Sequence, residues 1–123
     1  MKNQLCTLAA MAVMTVFTTS TALSADMATG EEIRTLVSGK TLQGSMLVDK
    51  FQKYSEFYMA DGTIKADGYV GKWSIEGDTM CFEYGGNSSG CWAASIEGAA
   101  VIWWKEGQVD GAAVAKAGNG NNY

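Results

Sequence analysis

The sequence predicts a mainly β protein: a small antiparallel up-and-down barrel, or a strongly twisted meander sheet, of seven or eight strands with one short N-terminal helix behind a signal peptide. Three observations carry this expectation. From Thr41 onward the side chains alternate with a period of two, the spacing at which successive residues point to opposite faces of a strand. Asp61-Gly62, Asp67-Gly68, Gly77-Asp78, Glu97-Gly98 and Gly107 punctuate that pattern, and such residues suit tight hairpin turns. No second helical pattern lies between the strands, so there is nothing from which to build a parallel crossover. Consecutive strands joined by tight turns then pair with each other, and closing the meander into a barrel removes its exposed edges.

Taken in order, Met1-Lys2-Asn3-Gln4 is a short basic start, Leu5 to Phe17 an apolar run, and Ala22-Leu23-Ser24-Ala25 a set of small residues at the positions a signal peptidase reads. The apolar run is shorter than the roughly 20 residues a membrane-spanning helix needs. Cys6 stands near the start of the run, so it leaves with the leader, and no cysteine is placed for lipidation. The expected organisation is a signal peptide over 1–25, a barrel domain over 26–117 and a flexible C-terminal tail over 118–123, with a periplasmic or secreted product and no stable membrane insertion after cleavage.

Asp26 to Ser38 is the helix candidate. Thr29 and Glu32 have capping-box spacing, Ile33, Leu36 and Val37 fall on one face, and Gly39 suits the left-handed position after a helix. So short a helix needs a surface to lie on, and it is expected to close one end of the barrel. The strands expected are Thr41–Val48, with Gly44 as a bulge or bend, Lys50–Met59, Thr63–Ala66, Tyr69–Ile75, Thr79–Tyr84, Cys91–Ile96, Ala99–Lys105 and a weak Gln108–Ala115. Along the second, Gln52, Tyr54, Glu56 and Tyr58 share one face and Phe51, Lys53, Ser55 and Phe57 the other.

Once Cys6 is removed two cysteines remain, and in an oxidising compartment a Cys81–Cys91 disulfide is the expected pairing, stapling one strand to the next across the Gly85–Gly90 loop. A redox role normally has Cys-x-x-Cys spacing, which is absent. The chain contains no histidine, so it lacks the commonest general base and the commonest transition-metal ligand, and no cofactor is expected. A formal net charge of −4 disfavours nucleic acid and anionic membranes as partners.

Functional candidates come from the aromatic residues, which are dense for a domain of this size. Most should be core. Trp103 and Trp104 are adjacent in a strand, however, so both cannot enter one core, and one of them is covered from outside or faces a ligand or partner. Trp103, Trp104, Tyr58 and Trp92 are the candidate ligand-binding residues. The acids, Glu56 among them, are read as mostly turn residues, with nothing to select a catalytic pair.

The segments Ala60-Asp61-Gly62-Thr63, Gly71-Lys72-Trp73-Ser74-Ile75, Gly77 through Tyr84, Cys91-Trp92, and Asp110-Gly111-Ala112 with Gly118-Asn119 together resemble a family of small exported proteobacterial proteins, of rhizobial type and unknown function. That resemblance implies an envelope or secreted β domain of lipocalin-like shape and supplies no catalytic residues. Ile102-Trp103-Trp104-Lys105-Glu106-Gly107 is also similar to a segment of the small periplasmic lysozyme inhibitors, whose characteristic loop serine is missing here. The expectation is a non-enzymatic binding module for a small molecule or envelope component; the alternative is a proteinaceous inhibitor of an envelope-attacking hydrolase, presenting the Gly85–Gly90 loop.

Overall fold

The computed structural model of the protein describes residues 26–47, 51–86 and 88–123. The expected signal peptide over 1–25 and the strand ends expected at Val48 and Lys50 lie outside the described residues. The chain runs through helix α1 (Gly30–Val37) and strands β1 (Lys40–Met46), β2 (Gln52–Tyr58), β3 (Thr63–Ala66), β4 (Tyr69–Glu76), β5 (Thr79–Glu83), β6 (Ser89–Glu97), β7 (Ala100–Lys105) and β8 (Gln108–Ala117). Each strand pairs antiparallel with the next, and β8 pairs back onto β1, so the eight strands form a closed barrel. Among the described residues no helix is long and apolar enough to cross a membrane.

Helix α1 is shorter than the expected Asp26–Ser38 because its N-terminus is fixed at Thr29. The Thr29 hydroxyl accepts the Glu32 amide at 3.2 Å while the Glu32 carboxylate accepts the Thr29 amide at 2.7 Å, completing a capping box. Just upstream, the Ala28 amide donates to the Ala94 carbonyl at 2.7 Å, tying the lead-in to the barrel instead of to the helix. The Gly30 amide donates to Asp78 Oδ1 at 2.9 Å, and a Cβ at Gly30 would meet the Gly77 carbonyl at 2.2 Å. Only glycine lets the helix seat so closely on the β4–β5 turn. Ile33 and Val37, one turn apart, are completely buried, and the Arg34 guanidinium lies 5.7 Å from the Trp73 ring centroid. With β1 beginning two residues beyond Ser38, the helix closes the end of the barrel formed by the starts of β1 and β5 and the end of β4.

Alternation sorts the strands into an inner and an outer face. Next to the helix, Leu42, Ile64, Trp73, Met80, Ala94 and Val101 join Ile33 and Val37 in a buried apolar core. Gly44 is not a bulge, since its register is unbroken on both sides, opposite Tyr54 and opposite Ala113. It allows close approach instead: a Cβ there would lie 2.0 Å from the Ala112 carbonyl, at the seam where β1 and β8 close the barrel. The register shift falls between Trp103 and Trp104 in the β7–β8 pair. Strand β8, expected to be weak, is the longest at ten residues, its pairing with β7 running from Gln108 to Val114 and its pairing with β1 from Gly111 to Ala117.

Residues 118–123, expected as a flexible tail, fold back onto the barrel. The Gly118 amide donates to the Gly39 carbonyl at 3.1 Å, the Thr41 hydroxyl donates to the Gly118 carbonyl at 2.7 Å, and the Asn121 side-chain Nδ2 donates to Ser55 Oγ at 3.1 Å.

Cys81 and Cys91 are directly opposed in the β5–β6 pair, their Cα atoms 4.0 Å apart, and are joined in a disulfide. Their neighbours Met80, Phe82 and Trp92 point inward, so the bridge lies on the outer face, where it holds together the hairpin around the glycine-rich loop. Loop-closure entropy for so short a segment puts its contribution at about 2–3 kcal/mol. The double Cys81→Ser, Cys91→Ser variant is expected to unfold at lower denaturant by that amount, measured by urea titration, with ligand binding retained under native conditions.

Candidate ligand cavity

The barrel is packed at the helix end and hollow at the other. At the open end the inward positions belong to the last residues of β1, β5 and β7 and the first of β2, β4 and β6, and they enclose a cavity of about 540 Å³. That volume lies within the range of about 300–1,000 Å³ typical of small-molecule sites, and protein interiors otherwise leave few voids larger than a water molecule. Met46, Gln52 and Ser88–Gly90 line the mouth, and seven aromatic residues stand in the wall.

Glycine at inward positions makes room for those rings. Gly111 stands opposite Trp103 across β7–β8, and a Cβ at Gly71 would come 2.6 Å from the Tyr84 ring. Phe82 is the hub of the wall, edge-on to Trp92 and Trp103 at 5.5 Å each and stacked on Tyr84 at 6.4 Å. Trp92 donates its indole hydrogen to Asp110 Oδ2 at 2.7 Å, and Lys105 Nζ sits 4.1 Å from its ring centroid.

In this aromatic surround stands one acid. Glu56 is 4% exposed, and three phenols converge on it: Tyr58 and Tyr84 donate to Oε2, the latter at 2.9 Å, and Tyr69 donates to Oε1 at 2.7 Å. Beside this cluster the Trp103 indole donates to the Tyr54 hydroxyl at 3.0 Å. Burial holds the phenols of Tyr54, Tyr58, Tyr69 and Tyr84 well above their ordinary titration range, and the charge of Glu56 pushes them further in the same direction. The four tyrosines therefore stay protonated at any physiological pH, and Tyr58, Tyr69 and Tyr84 keep donating to Glu56.

Of the residues singled out from the sequence, Trp103, Tyr58 and Trp92 are brought together in this wall. Trp104 is not: alternation turns it to the outer face, where its indole donates to Ser95 Oγ at 2.9 Å. Glu56 is the exception among acids expected mostly at turns: its place within the second strand was expected, its burial in the cavity wall was not. It lies in the middle of β2, and the signal was its parity, since Tyr54, Glu56 and Tyr58 were already on one face; what the sequence could not supply was that Tyr69 and Tyr84, 13 and 28 residues further on, close over the same carboxylate. Glu76, Cys81 and Cys91 also bring possible metal ligands within 4.8 Å of one another, but the two sulfurs are bonded to each other and offer no thiolate. No protein-family model, no curated protein and no solved structure matches the chain.

Proposed function

We propose that this is an exported, non-enzymatic binding protein that takes a small, largely apolar molecule into the open end of its barrel. The observation that carries the reading is the cavity itself: about 540 Å³ with seven aromatic residues in its lining, in a barrel whose other end is filled by the apolar core. A domain of this size forgoes considerable packing energy by leaving that space unfilled, which is expected where the space has an occupant. Export is supported by the leader-like residues 1–25 and by the disulfide, which belongs to an oxidising compartment. Binding rather than catalysis is supported by Glu56, whose two oxygens are already held by three phenols, and by the lack of any histidine to act as a base. Ser88, Ser89 and Gly90 rim the mouth, which supports a part for these loop residues in ligand entry.

The test is a titration with 1-aminoanthracene, a neutral fluorophore that brightens in dry pockets, read both by its own emission and by energy transfer from tryptophan. Saturable binding at one site per chain, with quenching of Trp92 and Trp103, is the expected result. Non-saturable emission, or none, would refute the reading.

A further inference from the structure

We infer that the ligand of this cavity is a protonated amine on an apolar body, its ammonium group seated against Glu56. The inference rests on the binding reading above and goes beyond it in naming the ligand's charge. A carboxylate has about four acceptor positions. Tyr58 and Tyr84 take the two on Oε2 and Tyr69 takes one on Oε1, which leaves one position on Oε1 for a donor that the ligand brings. All three partners are neutral hydroxyls, so they orient the carboxylate without cancelling its charge.

The surroundings favour a cation over the other two charge classes. The rings of Phe82, Tyr84, Trp92 and Trp103 all line this cavity, and aromatic rings attract cations more strongly where water is partly excluded. Trp92 already holds one cation in this way, the Lys105 ammonium at 4.1 Å from its centroid. An anionic head group entering the barrel would meet the Glu56 charge at low dielectric, and the one basic residue of the lining, Lys53, is exposed at the rim. A neutral donor such as an alcohol would take the fourth acceptor position but leave the Glu56 charge uncompensated. The chain's net charge of −4 also draws cations toward it.

Three probes of equal size separate these possibilities: 4-phenylbutylamine, 4-phenylbutanol and 4-phenylbutyrate, each competing against bound 1-aminoanthracene at neutral pH. The amine is expected to bind about tenfold or more tighter than the alcohol, with the carboxylate weakest. In Glu56→Gln, which keeps the side chain's shape, the preference of amine over alcohol is expected to fall below about threefold while the dye still binds. Tyr69→Phe, at a half-exposed position, frees a second acceptor position on Oε1 and keeps the inference testable should the Gln variant not fold; the amine is expected to bind that variant more tightly than wild type. An alcohol that binds as well as the amine, a preference unchanged in Glu56→Gln, or weaker amine binding in Tyr69→Phe would overturn the inference. Dye binding without amine preference refutes this inference alone, whereas absence of dye binding refutes the binding reading beneath it.

Discussion

Above about pH 10 the barrel is expected to lose stability steeply, and the cause is the tyrosine cluster around Glu56. In the unfolded chain phenols release their protons near pH 10, whereas burial, reinforced by the Glu56 charge, holds those of Tyr54, Tyr58 and Tyr84 far higher in the folded protein. Below pH 10 both states keep these protons and the stabilisation is complete. Once the pH passes 10 the unfolded chain sheds protons that the folded chain retains, so each further rise favours unfolding. Each such phenol contributes about 1.4 kcal/mol per pH unit, so the three together give about 4 kcal/mol per unit. Tyr69 shares the shift but is half-exposed and counts for less. Against a typical net stability of about 5–15 kcal/mol, a rise of about one to four units unfolds the domain. Urea titrations at stepped pH, with tyrosinate absorbance recorded alongside, measure the slope directly. In Tyr84→Phe it should fall by about 1.4 kcal/mol per unit. A native protein whose tyrosines all ionised near pH 10 with no loss of stability would contradict the cluster's description.

The largest single-residue effect is expected from Trp103→Ala. Trp103 is 1% exposed, donates to Tyr54, stands edge-on to Phe82, and lies opposite Ala94 on one side and Gly111 on the other. The glycine opposite cannot grow into the space left behind, so the cavity widens instead of collapsing, and a loss of about 3–5 kcal/mol follows. Trp104→Ala, one residue on, removes an outer-face side chain with a single hydrogen bond to Ser95 and should cost under about 2 kcal/mol. Denaturant unfolding of the two variants side by side measures the difference. Should Trp103→Ala fail to fold, Trp103→Phe keeps an aromatic in the wall and is expected to fall between the two. Equal losses for Trp103→Ala and Trp104→Ala would contradict the assignment of inner and outer faces.

The architecture was legible in the sequence because it depends on local signals. Period-two alternation marks where strands run, Asp-Gly and Gly-Asp pairs mark where they turn, and Thr29 with Glu32 marks where the helix starts. The same alternation required that Trp103 and Trp104 part company. Closure was less legible, because the pairing of β8 with β1 joins residues some 70 positions apart, Met46 with Gly111 being about the nearest in sequence. Gly44 shows the cost of that: as a local signal it reads as a bend, and only the approach of Ala112 and Ala113 explains it as a seam. The site was legible only in fragments. Tyr54, Glu56 and Tyr58 share a face of one strand, but Tyr69 and Tyr84 reach Glu56 from two others, and a buried carboxylate held by three phenols is a property of the closed barrel alone.

That the hollow end of the barrel is a binding site is tested most directly by locating a bound probe. Intermolecular NOEs from 1-aminoanthracene in an isotope-labelled sample should run to the aromatic ring protons of Trp92, Trp103, Tyr54 and Phe82. NOEs confined to the methyl groups of Ile102, Val109 and Val114, apolar side chains exposed outside the cavity lining, would place the probe on the surface and contradict the account.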